Sequence, residues 1–202
     1  MDVKTSYKYI LKLSLPIMLG GAAQNVVTIS DSIFLYYKSE QDFATIGFVG
    51  VFYLTIAAIG YGFSRGGQIL IARRLGERRY EQIGNTFYSM FYFEMLLALG
   101  MFLFMWFITP QLFYYIVNSS EVYEKSMEYL STRSWGVFFA YAGVSFIALY
   151  SGLAKTKFII IDSAILAIVN LFLNYVLIFG YYGFPEMGIA GAGLASTIAE
   201  IV

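Results

Sequence analysis

Asp31 is an acid inside a long apolar run, and that placement asks for a physical reason. A charged side chain at the middle of a membrane helix costs about 2.5–3.5 kcal/mol on insertion scales. At about 100° per residue, Gly20, Gln24 and Thr28 all fall within about 60° of Asp31 and form with it one small, polar stripe. Such a stripe serves either close helix packing or a cavity in which the carboxylate takes up a proton or a cation. Packing does not require an ionisable group, so the cavity is the expected use. Pro16, earlier in the same run, removes a backbone hydrogen bond and is expected to kink the helix or act as a hinge.

A second constellation is Asn170 and Asn174, one helical turn apart on the face that also carries Ser163. Two amides at that spacing offer carbonyl oxygens to a hard cation, or donors and acceptors to a buried carboxylate; interhelical hydrogen bonding alone is the equal alternative. Ser196, Thr197 and Glu200 follow the small-residue run Gly188-Ile189-Ala190-Gly191-Ala192-Gly193 and are candidate cavity-lining positions, together with Gln24 and Thr28. Glu94 is a further acid in an apolar run. It is expected either to titrate or to pair with Arg65, about 6 Å away in depth. Asp162 is expected at a solvated interface, with Arg65 snorkelling from a helix end.

The elements that must hold these residues are membrane helices. Of 202 residues, 59% are hydrophobic and only 13% charged, against about 45–50% and about 25% in a soluble domain. Apolar stretches run over Ile10–Tyr37, Phe43–Ala72, Ile83–Ile108, Ser134–Leu153, Phe158–Phe179 and Met187–Val202. They are long and unbroken, which excludes the alternating ten-residue pattern of a β-barrel and predicts an all-α bundle of six transmembrane helices. Lys4, Lys8, Lys12, Arg73, Arg74, Arg78, Arg79, Lys155 and Lys157 collect on one side; Lys38, Lys125 and Arg133, diluted by acids, collect on the other. The positive-inside rule then predicts a cytoplasmic N-terminus in a plasma (inner) membrane of bacterial type.

The same composition removes whole classes of chemistry. There is no Cys and no His, so thiolate catalysis, the common zinc ligands and the commonest general base are absent. No phosphate loop or nucleophile elbow is present, so an enzyme is not expected, and a net charge of zero argues against nucleic acid.

An ordered set of segments carries a resemblance. It comprises Leu15-Pro16 with Gln24 and Asp31, then Arg73-Arg74-Leu75-Gly76, then Ser151-Gly152-Leu153-Ala154-Lys155-Thr156-Lys157. It continues with Asn170-Leu171-Phe172-Leu173-Asn174-Tyr175 and with Gly183-Phe184-Pro185-Glu186 leading into Met187-Gly188. Together these segments resemble the multidrug and toxin extrusion transporters. The resemblance implies one lobe of a twelve-helix antiporter that exports organic cations in exchange for protons or sodium ions, with no other cofactor. It implies a coupling-ion site at Asp31 and Asn170, joined by Asn174, where sodium is one candidate ion. Some proton-coupled relatives carry Asp where this chain has Asn174, which leaves the choice between proton and sodium open. The expected partners are an organic cation, membrane lipid and a second six-helix lobe. The sixth stretch supplies about 16 residues where about 20 are needed to cross, so residues 1–202 are expected to form an N-terminal lobe whose last helix is cut short. Two other readings compete: a lipid-linked oligosaccharide flippase, whose cavity should be rich in Arg and Lys, and a non-transporting membrane scaffold.

Overall fold

The computed structural model of the chain describes residues 7–202, excluding the side chains at 8–10, 12, 13, 16 and 19–24. Among the described residues the regular structure is entirely helical. Helix α1 spans Tyr7–Lys38, α2 Glu40–Gly76 and α3 Tyr80–Leu103. A π-helical turn over Phe104–Ile108 joins α3 to α4, Thr109–Ile116. Then follow α5 (Ser120–Arg133), α6 (Gly136–Gly152), α7 (Lys157–Phe179) and α8 (Gly188–Ile201).

Local chemistry explains the boundaries. The Ser39 hydroxyl accepts the Asp42 backbone N–H at 3.0 Å and caps α2, whose first turn carries Glu40 and Asp42 and whose last turn carries Arg73 and Arg74. Both charge sets complement the helix dipole. Pro110 lies in the first turn of α4 and has no N–H to return to the preceding turn. There the ladder widens, and the Thr109 N–H bonds the Phe104 carbonyl five residues back. Helix α7 ends at Gly180, whose φ of 73° is the left-handed conformation that glycine adopts without a Cβ clash. Gly191 serves a different need: a Cβ there would lie 2.8 Å from the Leu177 carbonyl, so only glycine lets α8 lie this close to α7.

Three described helical rods are long and apolar enough to cross a membrane alone: α2, the α3–α4 rod over Tyr80–Ile116, and α7. Helices α5 and α6 make a fourth crossing only as a pair bent by 54°. The fourth expected span, Ser134–Leu153, is therefore the second arm of a broken helix. The third runs on past Ile108 to Ile116, because the π turn widens the ladder without ending it. Helix α8 has 14 residues, shorter than a full crossing. In the bundle α1 packs on α7, α7 on α8, α8 on α5, and α2 on both α3 and α6. The core is built from side chains such as Leu35, Val49, Met105, Tyr141 and Ile178. Large apolar side chains also face outward; Ile168 is 69% exposed and Leu96 66%. In water such a surface would aggregate, whereas against acyl chains it is the ordinary exterior.

Candidate functional site

Helix α1 turns Asp31 into the bundle, and the side chain is buried where α7 and α8 meet it. Both amides of α7 point at the carboxylate. Asn174 donates from Nδ2 to Asp31 Oδ1 at 2.5 Å, and Asn170 donates to the same oxygen at 3.2 Å. From α8, the Ser196 hydroxyl donates to Oδ2 at 3.0 Å. The amides are tied to each other by Asn174 Nδ2 donating to Asn170 Oδ1 at 3.0 Å, and Asn170 also reaches Ser196 at 3.0 Å. The i,i+4 spacing on α7 makes this possible, since it stacks the two amides on one face. A hydrogen bond to a charged group contributes about 1.5–3 kcal/mol, so three such bonds, about 4.5–9 kcal/mol together, outweigh the insertion cost of about 2.5–3.5 kcal/mol and can hold a carboxylate in the membrane. One group in the site is unsatisfied: Asn174 Oδ1 is buried with no hydrogen-bond partner among the described residues.

Asp31 lines a cavity of about 540 Å³ with Thr28, Tyr53, Arg133, Ser196 and Glu200. In its wall, Arg133 of α5 donates from both terminal nitrogens to the Glu200 carboxylate of α8, at 2.6 and 2.5 Å. The guanidinium carbon lies 3.9 Å from the centroid of the Tyr53 ring, a cation–π contact from α2. Asp162 also lines this cavity, through an exposed side chain on α7. Three acids therefore face one guanidinium, and aromatic walls from Tyr61, Tyr129 and Phe139 complete the cavity. That combination is chemically suited to a cation.

The structure thus brings together Asp31, Asn170, Asn174 and Ser196, with Thr28 and Glu200 on the same cavity. Thr197 sits beside that group and donates to the Thr132 carbonyl at 3.2 Å, bracing α8 against α5. Glu94 lies apart, in a separate pocket between α2 and α3. Its expected pairing with Arg65 does not form. Arg65 is exposed and donates to Gln68 Oε1 at 3.1 Å, a neighbour on its own helix that it reaches without entering the bundle. The side chains of Pro16 and Gln24 lie outside the described residues.

Arg133 corrects the sequence reading, which counts it among the loop charges of the side opposite the N-terminus, and so does Asp42, one of the acids that dilute them there. Arg133 is 3% exposed because the 54° bend after α5 swings it inward to Glu200. Asp42 is also buried and bonds Lys125 at 2.5 Å, joining α2 to α5. Lys38 pairs with Glu186, so α1 is fastened to the loop before α8. A charge directly before an apolar run has the sequence signature of an interfacial anchor, and only the bend distinguishes the two cases.

The family model described as MatE matches residues 16–176 of this chain. Among curated proteins, the chain is 25% identical over 192 residues to the probable multidrug resistance protein NorM of Listeria monocytogenes serovar 1/2a, covering 95% of this chain and 42% of that protein. The NorM of Listeria innocua serovar 6a matches to the same extent. The chain thus spans less than half the length of the curated relatives it matches. Among solved structures, an outward-facing multidrug resistance MATE family transporter of the MOP superfamily superposes with a TM-score of 0.88 at 22% identity, over 96% of this chain and 42% of that one. A MOP superfamily transporter from Pyrococcus furiosus, described as having a binding pocket of reversed polarity, gives 0.87 at 22% identity over the same shares. An inward-facing MATE transporter gives 0.83 at 21% identity, covering 96% of this chain and 43% of that one. At these identities the superpositions establish the fold, that of one part of a multi-pass transporter. With most of its length inside the family match, the chain belongs to the MatE family of membrane transporters.

Proposed function

We propose that this chain forms the ion-coupling part of a secondary active antiporter that exports organic cations, with Asp31 as the coupling carboxylate. The observation that carries this reading is the buried Asp31–Asn170–Asn174–Ser196 cluster, with an unsatisfied amide oxygen, on the wall of an acidic and aromatic cavity. A bare Asp31 is an anion served by donors, and it suits an open, wet cavity. A proton or sodium ion neutralises it, and Asn174 Oδ1 is an acceptor ready for that cation. The neutral form tolerates occlusion between apolar helices, so ion binding favours one of two arrangements by its differential affinity, as coupling requires. An organic cation entering the cavity competes for the same negative charge and displaces the ion. Positive loops on the side of the α2–α3 turn support a cytoplasmic N-terminus.

The test is Asp31→Asn in a transporter that contains this chain. Ion-driven export of an organic cation should be abolished while expression and membrane insertion stay intact; export that survives the substitution overturns the assignment. The flippase reading is not favoured, because among the described lining residues Arg133 is the one guanidinium and it is already engaged by Glu200.

A further inference from the structure

A second buried acid lies outside the Asp31 cavity. Glu94, in the second half of α3, is fully buried, and neither of its carboxyl oxygens has a hydrogen-bond partner among the described residues. It borders a pocket of about 390 Å³ whose other walls include Arg74, Asn85, Thr86, Ser89 and Met90. Arg74 is in the last turn of α2 and Asn85 is five residues into α3, so the pocket begins near the α2–α3 turn. From Asn85 to Glu94 is nine residues, about 14 Å along the helix. The pocket therefore runs from near the α2–α3 turn toward the acid, with Asn85 and Ser89 among otherwise largely apolar walls that include Phe63, Leu70 and Phe93.

The contrast with Asp31 decides the protonation state. Asp31 receives three hydrogen bonds, whereas Glu94 receives none that would stabilise a negative charge. A buried carboxylate without donors or a counter-ion neutralises itself by taking a proton. The ionisable groups that face it do not change this outcome. From α2, the Arg74 guanidinium already donates to the Gln82 carbonyl at 2.7 Å, at the pocket's outer end. From α6, the Tyr141 hydroxyl is committed to the Ile56 carbonyl at 2.7 Å. No group of three or more acids that could hold a metal ion is present among the described residues, and Arg74 adds positive charge at the mouth. A proton is therefore the fitting occupant.

We propose that Glu94 is a second proton-binding site, separate from Asp31, that exchanges with the membrane face carrying the α2–α3 turn through the pocket between α2 and α3. In the exchange a protonated water reaching the pocket gives one proton to a Glu94 oxygen and leaves as neutral water, and on release the proton returns to a water; no other bond changes. The inference is independent of the role given to Asp31, and its test separates the two. Infrared spectra of the full chain in lipid should show at neutral pH a protonated-carboxyl stretch at the high frequency of an acid free of hydrogen bonds. That band should be lost in Glu94→Gln and kept in Asp31→Asn. Its absence from the unsubstituted chain, or its persistence in Glu94→Gln, overturns the proposal. Glu94→Leu is the second variant: it should fold as well as the parent and lose the same band, and a failure to fold would show an acid held by partners, against the proposal. Ser89→Leu narrows the pocket and should slow the deuterium shift of the band; an unchanged rate overturns the exchange route.

Discussion

Asn174 contributes two things to the same few ångströms: its Nδ2 gives the shortest hydrogen bond to Asp31, and its Oδ1 is an acceptor with no donor among the described residues. Asn174→Leu keeps approximate volume but removes both. Loss of the donor destabilises the bare carboxylate by about 1.5–3 kcal/mol, so a coupling proton should bind about tenfold more tightly or better, whereas a sodium ion, deprived of the Oδ1 ligand, should bind more weakly. The measurement is the concentration of sodium, or the pH, at which the purified protein gains half of its ion-dependent thermal stabilisation. An unchanged midpoint would remove Asn174 from the site. Asp31, Asn170 and Asn174 are legible in the sequence because polar groups in apolar runs stand out and a four-residue spacing fixes a shared face. Ser196 is legible only as a lining candidate, because its bond to Asp31 depends on how α8 lies against α1. Tyr53 gave no signal, as an aromatic residue in an apolar helix looks like any other core residue until Arg133 is found above it.

Helices α5 and α8 are joined by their buried ion pair more specifically than by shape. Removing one partner strands the other charge in the bundle, a loss of about 3–5 kcal/mol, whereas replacing both with apolar groups is close to neutral. Arg133→Met should therefore lower stability markedly, and Arg133→Met combined with Glu200→Leu should recover most of it, as read by denaturant or thermal unfolding in detergent. Equal instability in single and double variants would mean that the guanidinium contributes by packing on Tyr53 and not by pairing. The pair also shows why helix geometry was only partly legible. Hydropathy locates apolar runs well, and α2, α7 and the body of α3 lie where it places them. It is blind to direction, so the 54° bend between α5 and α6 and the π turn at Phe104–Ile108 are invisible to it. The charge that the bend turns inward is consequently misplaced by the sequence.

The molecule as a whole presents an apolar exterior and an acidic, aromatic interior cavity of about 540 Å³. That volume is in the range of pockets that hold drug-sized molecules, about 300–1,000 Å³, as the proposal of an organic-cation substrate requires. A permanently charged quaternary ammonium should bind at least about tenfold more tightly than its neutral carbon isostere, given Asp31 and the exposed aromatic faces. Equilibrium binding of such a pair, followed by tyrosine fluorescence, checks this; equal affinities would mean the acids play no part in recognition.

The depth of Asp31 has a further consequence, in electrical terms. The residue lies seven positions before the end of α1 at Lys38, about 10 Å along the axis, or about a third of a hydrocarbon layer about 30 Å thick. An ion reaching it from that end crosses about a third of the membrane voltage, so each 100 mV changes its binding energy by about 0.8 kcal/mol. The affinity of the carboxylate for that ion would then change about fourfold over that range. Under the coupling role proposed for Asp31, the resting potential would be a second input to the site, alongside ion concentration.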